Sequence, residues 1–228
     1  MKSHGMNAAT PKKHEMNPKT KSIFRGLIII VAWFGLLLQL YLTLTTNSGK
    51  SVFEKLLNYF SYFTILTNTL VAIGTTMSLL LPRSEIGKFF AQSHTESALT
   101  VYIVTVAMIH LLFLREVVEF QGWNVFSDFV LHKVVPALYL VYWIFFVPKG
   151  ELRWQDALQW LVYPFVYFVY VLIRGFIDNF YPYPFANVDQ LGYGRALTNG
   201  AWIILSFFVL GLILVFVDRF MHKEKVSN

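Results

Sequence analysis

The 228-residue sequence has no cysteine and little charge. Without cysteine, disulfide bonds, thiol nucleophiles and cysteine-ligated zinc or iron–sulfur sites are excluded. Charged residues make up 14% of the chain, whereas an ordinary soluble domain carries about 25%. Hydrophobic residues make up 56% and the mean hydropathy is +0.52. This composition excludes a disordered chain and indicates a membrane protein rather than a soluble domain.

The sequence also lacks the short motifs of several common enzyme and cofactor classes. It contains no GxSxG, HExxH, Walker A or GxGxxG pattern. The histidines show no close metal-ligand spacing, so we expect no metal and no cofactor. Ligation of one haem by His110 and His132 from neighbouring helices is the alternative that these residues leave open.

Six continuous apolar segments are long enough to cross a bilayer. A hydrocarbon core about 30 Å thick needs about 20 apolar residues in a helix. A β-barrel would instead show alternating segments of about ten residues. The sequence therefore predicts an all-α polytopic membrane protein with six transmembrane helices in one bundle. The predicted spans are Phe24–Thr46, Phe60–Leu81, Ala98–Leu114, Phe129–Val147, Ala157–Ile173 and Leu197–Val217.

The basic residues predict the orientation of this bundle. Residues 1–22 are a predicted basic cytoplasmic tail, residues 23–220 the transmembrane domain and residues 221–228 a second cytoplasmic tail. Thirteen of the 19 lysines and arginines lie on the side that carries both termini. Because cytoplasmic segments of membrane proteins are enriched in Lys and Arg, both termini are expected in the cytoplasm. The net charge of +6 has the same origin and does not indicate nucleic-acid binding.

Polar residues recur on one face of the second predicted helix. Ser61, Thr64, Asn68, Thr75 and Ser78 are spaced by three, four or seven residues, which places them on one side of a helix. Small hydroxyl residues often serve only to pack membrane helices together. An amide in hydrocarbon needs hydrogen-bonding partners, so Asn68 is the member that packing explains least well.

His132 lies about one turn into the fourth predicted helix. An ionisable residue within the membrane is by default a functional candidate, although a histidine can also be hydrogen-bonded in the bundle or lie among the headgroups. At 1.5 Å per residue, Thr64 and His132 lie about 6 Å and 5 Å below the starts of their helices. In the predicted topology both starts are at the outer interface. A Thr–His pair is therefore geometrically permitted.

More polar and aromatic residues are predicted at the same level. His110 lies near the outer end of the third helix, and Arg174 and Asp178 follow the fifth. The last outer loop contains the segment Tyr181–Phe185. An aromatic belt with snorkelling charges would explain each of them singly. Their concentration on one side favours a site that opens outward.

Short motifs in the second to sixth helices support a family resemblance. They are Tyr62-Phe63-Thr64-Ile65-Leu66-Thr67-Asn68, Leu131-His132 with Pro136, Leu152-Arg153-Trp154 followed by Tyr163-Pro164, Leu172-Ile173-Arg174-Gly175 and Tyr181-Pro182-Tyr183-Pro184-Phe185.

These motifs resemble a bacterial family of small six-helix membrane proteins, which is related to the androgen-induced and androgen-dependent membrane proteins of animals. The animal proteins are threonine hydrolases that cleave fatty acid esters of hydroxy fatty acids. The resemblance implies that Thr64 is the nucleophile and His132 its catalytic partner. It also implies a lipid-ester substrate and a location in the bacterial cytoplasmic membrane.

The chemistry of the neighbouring residues suggests supporting roles. A threonine hydroxyl needs a general base within about 3 Å, which His132 would supply. Asp128, one turn before His132, is the candidate to orient that base. Asn68, one turn after Thr64, is the candidate to donate a hydrogen bond to an oxyanion.

Further candidates have less specific roles. Thr67 is a fallback nucleophile. Arg174 or Lys133 is expected to hold a fatty-acid carboxylate, since guanidinium and ammonium groups bind such anions. His110 is a supporting candidate at the same depth.

Two functions remain as predictions. The first is an intramembrane threonine-dependent hydrolase of lipid esters, with Thr64 and His132 as its catalytic residues and membrane lipids around it. The second is a non-catalytic protein that binds or transports lipids. The sequence alone sets neither the acyl chain nor the oligomeric state.

Overall fold

The computed structural model describes residues 17–114 and 121–227, and within these ranges the chain is helical with no strand. Six helices in this part are long and apolar enough to cross a membrane. The all-α, six-helix prediction is therefore confirmed, and the chain is an integral membrane protein. The spans are Pro18–Thr45, Phe63–Leu80, Ser93–Phe113, Trp123–Phe146, Asp156–Asp178 and Val188–Lys223.

In residues 17–114 and 121–227, ten α-helices make up these spans and their connections. They are α1 (Pro18–Thr45), α2 (Val52–Tyr59), α3 (Phe63–Leu80), α4 (Glu85–Phe90), α5 (Ser93–Ile109), α6 (Trp123–Phe129), α7 (Val135–Phe146), α8 (Asp156–Gln159), α9 (Val162–Asp178) and α10 (Val188–Ser227). Two π-helical segments extend them: His110–Leu114 continues α5, and Val130–Val134 joins α6 to α7. A single 3-10 turn, Pro184–Ala186, precedes α10.

The first helix begins earlier than the apolar pattern predicts. The side chain of Asn17 accepts a hydrogen bond from the Lys19 amide, and Pro18 occupies the first helical position. Both features favour helix initiation. Lys19 and Lys21 of the predicted tail therefore lie in α1, whereas residues 1–16 lie outside the described residues. At the other terminus α10 continues through residues 221–227.

The short helix α2, which the sequence analysis did not predict, lies across the end of α1. Ser51 and Glu54 form a reciprocal capping box at its start. The Lys55 ammonium donates to the carbonyls of Leu44 and Thr46 at 2.9 and 2.6 Å, which satisfies the free C-terminal end of α1. These contacts hold α2 against the C-terminal end of α1, at one end of the bundle.

The predicted polar stripe of the second span is buried inside the bundle. Thr64, Asn68, Thr75 and Ser78 are buried on α3, and Ser61 is buried just before this helix. The outer surface shows the opposite character, with large apolar side chains exposed on several helices. Examples are Phe176, Trp202 and Phe216, which are 79%, 66% and 59% exposed. Such a surface is stable only against lipid.

A buried charge cluster connects three spans at the end of the bundle away from Thr64. Arg25 of α1 contacts the Glu96 carboxylate of α5 at 2.6 Å, and the Tyr142 hydroxyl of α7 donates to the same oxygen at 2.6 Å. The Arg25 Nε also donates to Tyr142 at 2.7 Å. The Glu96 side chain is 2% exposed, so this carboxylate depends on its two protein partners.

Removing one partner from this cluster should destabilise the bundle strongly. Arg25→Met leaves Glu96 buried without its compensating charge, and such a change costs about 3–5 kcal/mol. Thermal unfolding in detergent should show a large fall in Tm. Glu85→Gln is the control, because it breaks an exposed ion pair to Lys88 and should change Tm little. Equal Tm values for both variants would contradict a stabilising role for the buried pair.

Candidate active site

A cavity of about 460 Å³ opens at the end of the bundle where α3 begins. We call it the main cavity. This volume lies in the range of small-molecule sites, about 300–1,000 Å³. Its walls come from the ends of α1 and α6, from α2, from the first turn of α3 and from the loop before α10. The predicted residues that line it are Thr64, His110, Asp128 and His132.

Thr64 and His132 meet in the main cavity. The Thr64 hydroxyl oxygen lies 3.1 Å from His132 Nε2, which is hydrogen-bonding distance. Thr64 is the second residue of α3, so its side chain lies in the first turn of the helix, where the backbone dipole favours negative charge. The structure thus brings together the two residues whose adjacency the sequence left open.

Asp128 lies on the opposite side of the His132 ring. His132 Nδ1 is 3.2 Å from the Asp128 carbonyl oxygen and 2.8 Å from its carboxylate Oδ1. The Asp128 carbonyl accepts a hydrogen bond from Nδ1 and the carboxylate lies beside it, which holds the ring proton there, and Nε2 is then left with its lone pair towards Thr64. The order of groups is hydroxyl, imidazole and carboxylate, which is the arrangement of a hydrolase triad.

His110 shares the same carboxylate. Its Nε2 lies 3.0 Å from Asp128 Oδ1, and its ring stacks on His132 with centroids 4.0 Å apart and planes inclined by 20°. His110 begins one π-helical segment and His132 lies within the other. Single π-helical turns are frequent at functional sites. Both π-helical segments interrupt the regular α-helical hydrogen bonding of their spans near Asp128.

Tyr183 is a contact of Thr64 to which the sequence analysis gave no role. The Thr64 amide donates to the Tyr183 hydroxyl oxygen at 3.3 Å, and the two side-chain oxygens are 3.4 Å apart. Burial raises the pKa of Tyr183, so its phenol keeps its proton and remains a donor at neutral pH. The signal in the sequence was its place in the Tyr181–Phe185 motif, where two prolines restrict the loop.

Asn68 does not point into the main cavity. Its amide nitrogen donates to the Thr64 carbonyl at 2.8 Å and to the Leu131 carbonyl at 3.3 Å. These bonds connect the helix of Thr64 to the segment of His132, so the amide supports the position of both residues. The predicted oxyanion donor is therefore occupied elsewhere. Thr67, the fallback nucleophile, is buried against Tyr163 at 3.3 Å and does not line the cavity.

The predicted carboxylate-binding cations also lie elsewhere. Arg174 donates to Asp178 at 2.7 Å, to Asn58 at 2.8 Å and to the Leu57 carbonyl at 3.1 Å, so its guanidinium holds α9 against α2. Lys133 is exposed and lies 5.4 Å from the Phe129 ring. Neither lines the main cavity.

The cations that line the main cavity are Lys50 and Lys55, which the sequence analysis did not select. Lys55 is bound to the carbonyls at the end of α1. Lys50 is exposed at the rim, 5.6 Å from the Phe180 ring.

His110, Asp128 and His132 are also the residues that could hold a metal ion. One ligand atom from each lies within 4.8 Å of the others. Zinc would require all three atoms about 2.0–2.2 Å from one point, with each imidazole plane passing through the metal. Stacked ring planes inclined by 20° meet far from these atoms, so the rings would have to tilt to bind an ion.

No family model, curated protein or solved structure matches this chain.

The double role of Asn68 in positioning can be tested through stability. Asn68→Leu leaves the Leu131 carbonyl buried without its partner, which costs about 1–3 kcal/mol. We expect a lower Tm in detergent than for Thr67→Val, the matched control one residue earlier, whose hydroxyl has a long contact to Tyr163. A smaller effect of Asn68→Leu than of Thr67→Val would contradict this role.

Proposed function

We propose that this protein is an intramembrane hydrolase of carboxylic esters that uses Thr64 as its nucleophile. Two consecutive contacts support the proposal: Thr64 Oγ1 contacts His132 Nε2, and His132 Nδ1 contacts Asp128. The location within an integral membrane protein favours lipid esters as substrates. Fatty acid esters of hydroxy fatty acids are the specific substrates that the family resemblance suggests.

In the proposed first step, His132 Nε2 takes the proton of the Thr64 hydroxyl. The Thr64 oxygen then attacks the ester carbonyl carbon, and the carbonyl oxygen becomes an oxyanion. His132 returns the proton to the alcohol oxygen as the carbon–oxygen bond of the ester breaks. The products are the free alcohol and an acyl group on Thr64.

The oxyanion of this step would be stabilised by the Tyr183 phenol, which lies 3.4 Å from the Thr64 hydroxyl oxygen. A neutral phenol is a suitable donor for developing negative charge. The Thr64 amide already donates to the Tyr183 hydroxyl oxygen, so Tyr183 takes the role that the sequence analysis gave to Asn68.

In the second proposed step, water replaces the alcohol in the main cavity. His132 takes a proton from the water, which attacks the acyl carbonyl. The Thr64 oxygen leaves with the proton, and the carboxylic acid is released. Asp128 stays ionised and stabilises the imidazolium that His132 becomes in each step.

A metal-dependent hydrolase is the second candidate, because His110, Asp128 and His132 bring three ligand types together. In that case the metal would activate water and Thr64 would be dispensable. The two candidates therefore differ in their dependence on Thr64 and on chelators.

The nucleophile can be identified by covalent labelling of the purified protein with a fluorophosphonate probe. Wild type should form an adduct on Thr64, and Thr64→Ala and His132→Ala should lower labelling by about 1,000-fold or more. Thr67→Ala is the matched control on the same helix and should label as wild type. The adduct is mapped by mass spectrometry of peptides.

Two outcomes of the labelling experiment would contradict Thr64 as the nucleophile. Labelling that persists in Thr64→Ala and disappears in Thr67→Ala would move the nucleophile by one turn. Absence of labelling in folded wild type would contradict the threonine hydrolase. Ester turnover without labelling would then favour the metal-dependent candidate, and no turnover would favour the non-catalytic lipid-binding alternative, which is examined through the lipids that copurify.

Chelation separates the triad from the metal-dependent candidate. Treatment with 1,10-phenanthroline should leave ester turnover within about twofold of the untreated protein, because no step of the triad needs a metal. The measurement is the hydrolysis rate before treatment and after treatment followed by removal of the chelator. Loss of turnover that added Zn²⁺ restores would support the metal-dependent candidate instead.

A further inference from the structure

The Leu152-Arg153-Trp154 motif has no part in the proposed active site. It lies between α7 and α8, at the end of the bundle away from Thr64, and it contacts the last turns of α10. Leu152 is buried, whereas Arg153 and Trp154 are exposed. An exposed tryptophan at the end of a membrane span is typical of the headgroup level of a bilayer. The motif therefore places a cation and an aromatic ring at the membrane interface.

A second arginine, Arg219 of α10, lies against this motif. Its Nε donates to the Leu152 carbonyl at 3.3 Å, and its guanidinium carbon lies 5.4 Å from the centre of the Trp154 ring. The Leu152 carbonyl belongs to the peptide group that precedes Arg153, so Arg219 lies directly beside the backbone of Arg153. Two exposed positive charges from different helices therefore share one small surface. We call Arg153, Trp154 and Arg219 the basic patch.

The carboxylates next to the basic patch are bound by backbone amides and not by its arginines. Asp218 Oδ2 accepts hydrogen bonds from two amides of the loop before α8 at 2.9 and 3.2 Å. Asp156 Oδ2 accepts from the Arg153 amide at 2.8 Å. Among residues 17–113 and 121–223, neither arginine of the patch forms an ion pair. The positive charge of the patch is therefore available to an anion from outside the protein.

An apolar surface continues from the basic patch towards the middle of the membrane. Phe216 lies about one turn deeper along α10 than Arg219, and Ile213 lies about one turn deeper again. These two side chains are 59% and 52% exposed. Residues three positions apart are neighbours on one helix face. A free phosphate ion would contact only the cations, whereas a phospholipid would contact the cations with its headgroup and the apolar surface with its hydrocarbon chains.

We propose that the basic patch binds the phosphate of an anionic phospholipid from the leaflet at this end of the bundle. Arg153 and Arg219 supply the positive charge, and their guanidinium groups suit the oxygens of a phosphate. Trp154 packs beside the headgroup, at the depth where an indole ring is favoured. The acyl chains lie along the exposed apolar side chains of α10. The bound lipid connects α10 to the loop before α8 and lies at the opposite end from the main cavity, so this inference is independent of the proposed function.

The test measures the binding of single phospholipids to the full-length protein in detergent by native mass spectrometry. Wild type should bind dioleoyl phosphatidylglycerol about tenfold more tightly than dioleoyl phosphatidylcholine, because each cation near the headgroup favours an anionic lipid. The double variant Arg153→Gln, Arg219→Gln should lower the affinity for phosphatidylglycerol by about tenfold. Unchanged affinity in this variant would overturn the proposal.

Arg83 and Lys88 supply the matched control at the same end of the bundle. Both are exposed, and the double variant Arg83→Gln, Lys88→Gln removes the same two charges outside the basic patch. Its affinity for phosphatidylglycerol should stay within about twofold of wild type, because exposed charges away from the bound phosphate are screened. An equal loss in both double variants would show diffuse attraction to a basic surface and would overturn a defined site.

Two further measurements separate a lipid from a free anion and binding from folding. Glycerol 3-phosphate has the phosphate without hydrocarbon chains, so competition at the concentration at which phosphatidylglycerol binds would overturn the lipid as the ligand. Phosphatidylglycerol should raise the Tm of wild type but not that of the Arg153, Arg219 double variant, since a ligand stabilises the state that binds it. If the double variant has a lower Tm without lipid, Arg153→Gln alone decides the question. It keeps the hydrogen bond of Arg219 and should lower the affinity by about threefold.

Discussion

A polar or ionisable side chain inside a membrane must find its partners within the protein, since lipid offers none. This constraint explains both charged clusters of the bundle. At one end, Glu96 is held by Arg25 and Tyr142. At the other, Asp128 lies between two imidazoles, and one of these reaches Thr64. The first cluster lies away from any cavity that reaches Thr64, whereas the second opens into the main cavity. The same physical demand therefore gives a closed structural cluster at one end and a cluster open to a cavity at the other.

The cluster of Thr64, His110, Asp128 and His132 depends on where α3 begins and on where α-helix changes to π-helix. Thr64 lies in the first turn of α3, where backbone amides still lack helical partners. His110 and His132 lie in π-helical segments, which alter the direction of side chains by part of a turn. The Asn68 amide connects these two regions, because it donates to the Thr64 carbonyl of α3 and to the Leu131 carbonyl beside His132.

The sequence predicts the spans from one-dimensional quantities, whereas depth only permits a Thr64–His132 contact, and the pairing itself is what the family resemblance implies. Apolar length gives the helices, and depth from a helix start gives the level of each polar residue. Depth carries no information on rotation about the helix axis or on competing partners. For this reason the sequence predicts the correct level for Asn68 and Arg174 but the wrong hydrogen-bond partners. It assigns them groups of a substrate, whereas in the structure they donate to protein groups. Tyr183 was missed because loop conformation, not helical spacing, brings it to Thr64.

The Asp128 carboxylate, which contacts both His110 and His132, dominates the electrostatics of the site. In the reaction we propose, proton transfer from Thr64 would create a positive charge on His132, and in a low-dielectric medium an isolated charge is costly. Asp128, 2.8 Å from Nδ1, supplies the opposite charge at the place where it is needed. In the resting state the same carboxylate would itself be poorly compensated by a single neutral imidazole. His110 provides a second imidazole at 3.0 Å, and its ring stacks on His132. In the function we propose, the second histidine would lower the cost of keeping the carboxylate ionised and would take no direct part in the reaction.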